Sequence, residues 1–267
     1  MIAAMTTPVD APVTRAKVAV VFGGTSGIGL ATARALVDAG AQVTIAGRDP
    51  GKGERAARDL GERAHYVRAD VAIADEVSVV IDETTRRWGA LDYAVNAAAL
   101  PEMRPVRTAD ITLEEWQRTI TADLTGVWLA MKYELAAMQR GGGGSIVNVS
   151  SINGLSATPM AAAYCVAKHG LHGLSKTAAA EYAADRIRVN VVCPGAHLTP
   201  LLQAVFTMMS PGEPDRAEAM YRALIPLGRI GDPVECARAI VWLLSDQASY
   251  VTGAVLTVDG GLSLKAA

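Results

Sequence analysis

The sequence predicts one α/β domain: a doubly wound parallel sheet with helices on both faces. Three observations predict it. Short apolar runs rich in β-branched residues alternate with helical periods from Lys17 to the C-terminal region. Most of those runs are apolar throughout, not at alternate positions, as strands buried on both faces must be. A glycine-rich turn follows the first run directly and leads into a helix, the opening βα unit of a dinucleotide-binding fold.

The elements follow in order. Residues 1–16 carry Thr, Pro and Ala without a compact apolar stretch behind a basic start, so they read as a flexible tail and not as a signal peptide. Strands are expected at Lys17–Phe22, Gln42–Ala46, Ala64–Arg68, Tyr93–Val95, Ser145–Val149, Arg188–Cys193 and Val255–Val258. Helices fill most gaps, the first over Leu30–Ala39; the clearest carries Leu124, Val127, Trp128, Met131, Leu135 and Met138 at helical spacing. Gly141–Gly144 is too short for a domain boundary, so 17–267 forms a single domain. The irregular stretch is 198–226, with two Pro-containing turns; Leu201, Leu202, Val205, Phe206, Met208 and Met209 would make it an apolar lid over a substrate pocket. A helix packed on the body or on another subunit explains the same residues equally well.

The glycine turn reads Gly23-Gly24-Thr25-Ser26-Gly27-Ile28-Gly29. Gly23 permits the tight turn, Gly27 lets backbone N–H groups approach a pyrophosphate, and Gly29 lets the helix pack on the strand. The helix N-terminus then holds the phosphates. Further along, Tyr164 and Lys168 lie four residues apart in a helix-forming stretch, so they share a face. A phenol of pKa roughly 10 is a poor proton donor or acceptor at neutral pH, but a nearby ammonium lowers that value by about 1–3 units. The pair is therefore a candidate general acid/base.

These motifs, with Asp70-Val71, Asn96-Ala97-Ala98-Ala99, Ser151, Pro194-Gly195, Thr199 and Val258-Asp259-Gly260-Gly261, resemble in kind and order the short-chain dehydrogenase/reductase family, in its single-domain branch of Rossmann-type fold. The likeness spans Lys17 to Leu262. It implies that Ser151, thirteen residues before Tyr164, holds the substrate oxygen, with Ser150 capping the next turn instead; that Tyr164 transfers the proton; and that Lys168 tunes Tyr164 and holds the nicotinamide ribose. It places Gly23, Thr25, Ser26, Gly27, Ile28, Gly29, Arg48, Asp70, Val71, Asn96, Ala97, Ala98, Tyr164, Lys168, Pro194, Gly195, Leu198 and Thr199 around the nucleotide. Asp70 would sit near the adenine or serve as a helix N-cap, Asn96 would build the cofactor floor, and Thr199 would hold the carboxamide. The lone His197 is a weaker candidate for substrate contact. A homodimer or homotetramer is implied, through the apolar helices around Trp128 and after Tyr164.

Cofactor choice turns on the end of the second strand. An NAD enzyme wants a carboxylate there; this chain has Gly47 followed by Arg48, and a guanidinium suits the 2′-phosphate of NADP. NADP is the expected cofactor, with NAD the alternative if Arg48 only stacks on adenine. Three motifs depart from the family pattern. Phe22 replaces a Thr, and Ala97 and Ala99 replace Asn and Gly. Asp123 replaces an Asn whose backbone carbonyl anchors a relay water in relatives; its carboxylate would offset the effect of Lys168 on Tyr164.

Composition excludes other classes. With 51% hydrophobic and 19% charged residues and a net charge of −2, nothing favours nucleic acid or an anionic membrane. No apolar run reaches the roughly 18 residues of a membrane span. Three scattered cysteines fit buried thiols in the cytoplasm, not disulfides or a metal site. The expected activity interconverts a small apolar secondary alcohol and its ketone. The alternatives are a reductase of 3-oxoacyl chains and a non-catalytic dinucleotide-binding regulator.

Overall fold

Along β1 (Val18–Phe22) every residue is buried, and successive side chains enter two different cores. Ala19 and Val21 pack with α1 (Gly27–Asp38), α2 (Pro50–Leu60) and α9 (Pro233–Leu244). Val20 and Phe22 pack with α3 (Ala74–Trp88), α5 (Gly126–Gly141) and α6 (Ala162–Glu181). That period of two across a doubly covered sheet is why the strands read as unbroken apolar runs. The computed structural model describes residues 15–100 and 104–264. Residues 1–14 of the expected tail lie outside that range. Arg15 clamps Asp92 with two hydrogen bonds of 2.6 and 2.8 Å.

The remaining strands are β2 (Gln42–Gly47), β3 (Ala64–Arg68), β4 (Tyr93–Asn96), β5 (Gly144–Val149), β6 (Ile187–Pro194) and β7 (Val255–Val258). All pair in parallel in the order β3-β2-β1-β4-β5-β6-β7. The order reverses between β1 and β4, and the carboxyl ends flanking such a switch form a crevice. Phe22, the departure before the glycine turn, is 1% exposed and fills the core.

Local chemistry starts the helices. Asp49 caps α2 and Pro50 occupies its first turn. Thr112 and Glu115 form a capping box on α4 (Leu113–Ile120), and Asp232 and Glu235 do the same on α9. Between α4 and α5 the helix does not stop but widens into a π-turn, Thr121–Thr125. Such widenings cluster at functional sites. Within α5, Val127, Met131, Leu135 and Met138 are buried as the periodicity requires, whereas Trp128 is nearly half exposed.

Four buried polar side chains cross the sheet. Asn96 donates to Asn148 at 2.9 Å and to Glu134 at 3.1 Å, and Asn148 donates to Ser175 at 2.9 Å. The chain ties β4 and β5 to α5 and α6. Burial pushes the Glu134 carboxyl up to about 8, so at neutral pH it is mostly the neutral acid, the form that an apolar interior tolerates.

Candidate active site

A cleft with a volume of about 490 Å³ runs along the carboxyl ends of the strands and is lined by the ends of β1 through β6. Its nucleotide-like half follows β1, β2 and β3. At Gly23 the backbone takes φ +76°, and a Cβ there would stand 2.6 Å from the Ala98 nitrogen. At Gly29 a Cβ would stand 2.2 Å from the Gly23 carbonyl oxygen. Only glycine fits either place. The Ser26 side chain makes no cap hydrogen bond at the start of α1, so the first N–H groups of that helix remain available to an anion. A shallow glycine cradle at a helix N-terminus fits a dinucleotide pyrophosphate.

Arg48, Asp49 and Lys52 line the same half. Arg48 is exposed and its guanidinium has no partner among the described residues. Asp49 is engaged as the α2 cap, accepting from the Lys52 backbone at 3.0 Å. Asp70 also lines the cleft, but the N-cap of α3 is Ile73. Asp70 instead closes a local turn by accepting from the Ala72 nitrogen at 3.0 Å, because its side chain reaches only two residues on.

The other half follows β5 and β6. Ser151 leaves β5, and its hydroxyl accepts from the Asn153 nitrogen at 3.1 Å, capping the short turn Ile152–Gly154. The capping assigned to Ser150 is thus performed by Ser151, whose proton remains free to donate. Ser150 is buried and bonds the Lys168 carbonyl at 3.2 Å and His172 at 2.9 Å. On α6, Lys168 Nζ lies 5.4 Å from the centre of the Tyr164 ring, and both residues are buried.

Behind Lys168 stands Asp123, carried inward by the π-turn and wholly buried. Its Oδ1 is 3.2 Å from Lys168 Nζ. Among the described residues Lys168 is the ionic partner of this carboxylate, and the two groups form a buried ion pair. The expectation of a phenol made more acidic is corrected here. The Tyr164 pKa is raised: burial is the main cause, Lys168 pulls it down, Asp123 pushes it up, and Ser151 favours the phenolate. The Lys168 pKa is raised as well, because Asp123 and Tyr164 together outweigh the burial that disfavours the ammonium.

The family model described as Enoyl-(Acyl carrier protein) reductase matches residues 23–263. The chain belongs to the short-chain dehydrogenase/reductase family. It is 44% identical over 248 residues to cis-4-hydroxycyclohexanecarboxylate dehydrogenase of Sinomonas cyclohexanicum, covering 92% of this chain and 96% of that one. It is 41% identical over 248 residues to 2,5-dichloro-2,5-cyclohexadiene-1,4-diol dehydrogenase of Sphingobium indicum, covering 92% and 97%. Among solved structures, levodione reductase superposes with a TM-score of 0.90 at 31% identity, covering 94% of this chain and 98% of that one. This dehydrogenase/reductase is an NAD(P)-dependent oxidoreductase acting on CH–OH groups and the corresponding ketones.

The cleft of this dehydrogenase/reductase gathers most of the residues singled out from sequence. Gly23, Thr25, Ser26, Gly27, Ile28, Gly29, Arg48, Asp70, Val71, Ala97, Ala98, Ser151, Tyr164, Lys168, Pro194, Gly195 and Thr199 all line it. Gly195 is required there, since a Cβ would stand 2.6 Å from the Asp259 side chain. Thr199 caps α7 (Pro200–Met209) by accepting from the Leu202 nitrogen at 3.2 Å and keeps its proton to donate. Three residues do not reach the cleft, Asp123 among them, buried against Lys168. Asn96 is turned into the buried polar chain, so the floor is Ala97 and Ala98. Leu198 is half exposed, its backbone held by the Gly231 carbonyl at 2.8 Å.

The stretch 198–226 is two helices, α7 and α8 (Pro214–Leu224). Leu201, Leu202 and Val205 line the cleft as the apolar-lid reading expects. Phe206 packs under α8, and Met208 and Met209 face outward. His197 lines the cleft, with Nδ1 3.3 Å from the Gly195 carbonyl, and burial lowers its pKa. Sequence reasoning missed Asp49, Lys52, Asn153 and Tyr221. The Asp49-Pro50 pair, an N-cap followed by an N1 proline, was the available signal for the first two. The loop Asn and the helix Tyr carried none.

Proposed function

We propose that this short-chain dehydrogenase/reductase interconverts a cyclic secondary alcohol and its ketone, with NADP(H) as the preferred nucleotide. The observation that carries the mechanism is the buried Tyr164–Lys168 pair beside Ser151 at the cleft's β5–β6 half. Tyr164 is the general acid/base: it gives its proton to the substrate oxygen in reduction and takes it back in oxidation. Ser151, its lone pair taken by Asn153, donates its own proton to that oxygen and fixes it beside the phenol. A nicotinamide bound in this cleft supplies or accepts the hydride. Lys168 favours the phenolate and offers its ammonium to ribose hydroxyls, while Asp123 keeps it charged. The glycine cradle, Asp70 and Thr199 position the nucleotide.

Ring alcohols are suggested by the two relatives, whose names describe cyclohexane and cyclohexadiene alcohols. The apolar wall of Leu201, Leu202 and Val205 suits such a ring. NADP(H) is favoured because Arg48 is unpartnered among the described residues, while Lys52 lies 3.9 Å from the Asp49 carboxylate and offsets its charge. An acyl chain on an acidic carrier protein would need a basic docking face, yet Arg216, Arg222 and Arg229 beside the lid are each paired with a glutamate. The free thiols Cys165, Cys193 and Cys236 suit the cytoplasm. The exposed faces of Trp128 and Val166 suit a homodimer or homotetramer.

The test follows the absorbance of reduced nicotinamide with cyclic alcohols and ketones under each nucleotide. Turnover of ring substrates is expected. Nucleotide binding without turnover of the ring substrates would refute the cyclic-alcohol assignment and point to other alcohols and ketones.

A further inference from the structure

Tyr221 is the only α8 side chain in the wall of the cleft among the described residues. Its ring is fixed from below: it meets Phe206 edge-on, with centroids 5.3 Å apart and planes at 63°, and Phe206 is 3% exposed. Its hydroxyl has no hydrogen-bond partner among the described residues. The neighbouring helix α7 presents Leu201, Leu202 and Val205 to the same cleft. A phenol anchored through its ring, with its hydroxyl left open in an otherwise apolar wall, is how pockets orient a ligand. Tyr221 lines the same cleft as Ser151 and Tyr164. Those two hold the reacting oxygen from the strand-end and α6 side; Tyr221 approaches from the lid.

We infer that Tyr221 hydrogen-bonds a second oxygen of the substrate, so that the cleft selects ring alcohols and ketones bearing another hydroxyl, carbonyl or carboxylate group away from the reacting carbon. This selectivity rests on the alcohol–ketone activity proposed above. The hydroxyl can donate to any of the three groups, and the rigid ring commits little entropy to the contact.

The experiment compares cyclohexane-1,4-diol with cyclohexanol as substrates of the wild type and of Tyr221→Phe, which keeps the ring on Phe206. Having two equivalent hydroxyls, the diol gains a statistical factor of two in kcat/KM. The wild type is expected to favour it by about tenfold beyond that, the worth of one hydrogen bond in a partly open site. In Tyr221→Phe the ratio should collapse to the statistical factor, with the change carried mainly by KM. A ratio unaltered by the substitution, or no diol preference in the wild type, overturns the inference alone. A common fall for both substrates, with weaker nucleotide binding by fluorescence titration, overturns it in favour of a nucleotide contact. Nucleotide binding without turnover of either alcohol overturns the proposed activity, and this selectivity with it.

Discussion

Asp123→Asn deletes a carboxylate 3.2 Å from the Lys168 ammonium while preserving the size of the side chain. At an effective dielectric of about 20, two unit charges at that distance attract by roughly 5 kcal/mol, a gross figure that desolvation offsets. Part of that interaction is felt at Tyr164, whose ring centre is 5.4 Å from the ammonium. Burial is the main reason the Tyr164 pKa is raised, Lys168 opposes it, and Asp123 adds to it. The Lys168 pKa is lowered by burial but raised overall, chiefly by Asp123. Removing the carboxylate therefore lowers the proton affinity of both groups. Alcohol oxidation needs Tyr164 able to accept a proton, so its rate rises as pH passes the apparent pKa of the pair. The rise should move to lower pH in Asp123→Asn, by up to about 1–3 units, and the apparent value belongs to the coupled pair and not to Tyr164 alone. The assay is kcat/KM for alcohol oxidation from neutral to alkaline pH. Superimposed profiles, or a shift to higher pH, would refute the reasoning. Unfolding by denaturant gives an independent check. A raised folded-state pKa makes the Lys168 contribution fully present below its unfolded value of about 10.4, and lost as pH rises through the folded value. The stability difference between wild type and variant should shrink over that alkaline range.

Four further outcomes are expected. Tyr164→Phe should retain nucleotide binding by fluorescence titration yet lose turnover by a factor of about 10² to 10⁴, the usual worth of a general acid/base; keeping more than a few tenths of the rate would rule Tyr164 out. NADPH should bind roughly ten- to a hundredfold more tightly than NADH, through a charge-assisted pair with Arg48, and Arg48→Ala should erase the difference; equal wild-type affinities would show that Arg48 only stacks. Gly29→Ala places a Cβ 2.2 Å from the Gly23 carbonyl oxygen and should cost about 1–3 kcal/mol or more, together with nucleotide binding. Gly173→Ala, on α6 with nothing within 4 Å of its added Cβ, should stabilise the fold by about 0.5–1 kcal/mol.

All seven strands were legible, the inner ones because burial on both faces writes continuous apolar runs, the partly buried edge strands β3 and β7 as shorter runs between helical periods, and their observed bounds differ by a residue or so at either end. Turn and helix residues with a local job were legible too: Gly23 and Gly29 for close approach, Tyr164 and Lys168 for a shared face. What escaped depends on contacts distant in sequence. Asn96 looks like a cleft residue from its place at a strand end, but its direction was decided by Glu134 and Asn148. The π-turn at Thr121–Thr125 leaves no periodic trace, since one widened turn shifts the apolar pattern no more than an irregular choice of residue would. The net pKa of Tyr164 was misjudged because spacing reveals the neighbouring ammonium but not the depth of burial. Tyr221 was invisible for the same reason: its meaning lies in facing the cleft from a helix that sequence could not separate from α7.

The reversal of strand order between β1 and β4 has a consequence for how this protein can be altered. The glycine turn, Arg48, Lys52, Asp70 and Val71, which line the nucleotide-like side of the cleft, are encoded without interruption between Phe22 and Val71, with Ala97 and Ala98 of the floor following after β4. Ser151, Tyr164, Lys168, Thr199 and Tyr221 all come later, from the chain beyond β4. The two halves meet across the β1–β4 ladder, from Ala19–Tyr93 to Phe22–Asn96, and where α1 packs against α9 and α3 against α5. The coenzyme segment is therefore a graftable cassette: exchanging the residues after β2 can retarget the nucleotide while leaving the alcohol-handling segment, and whatever selectivity it carries, in its own register.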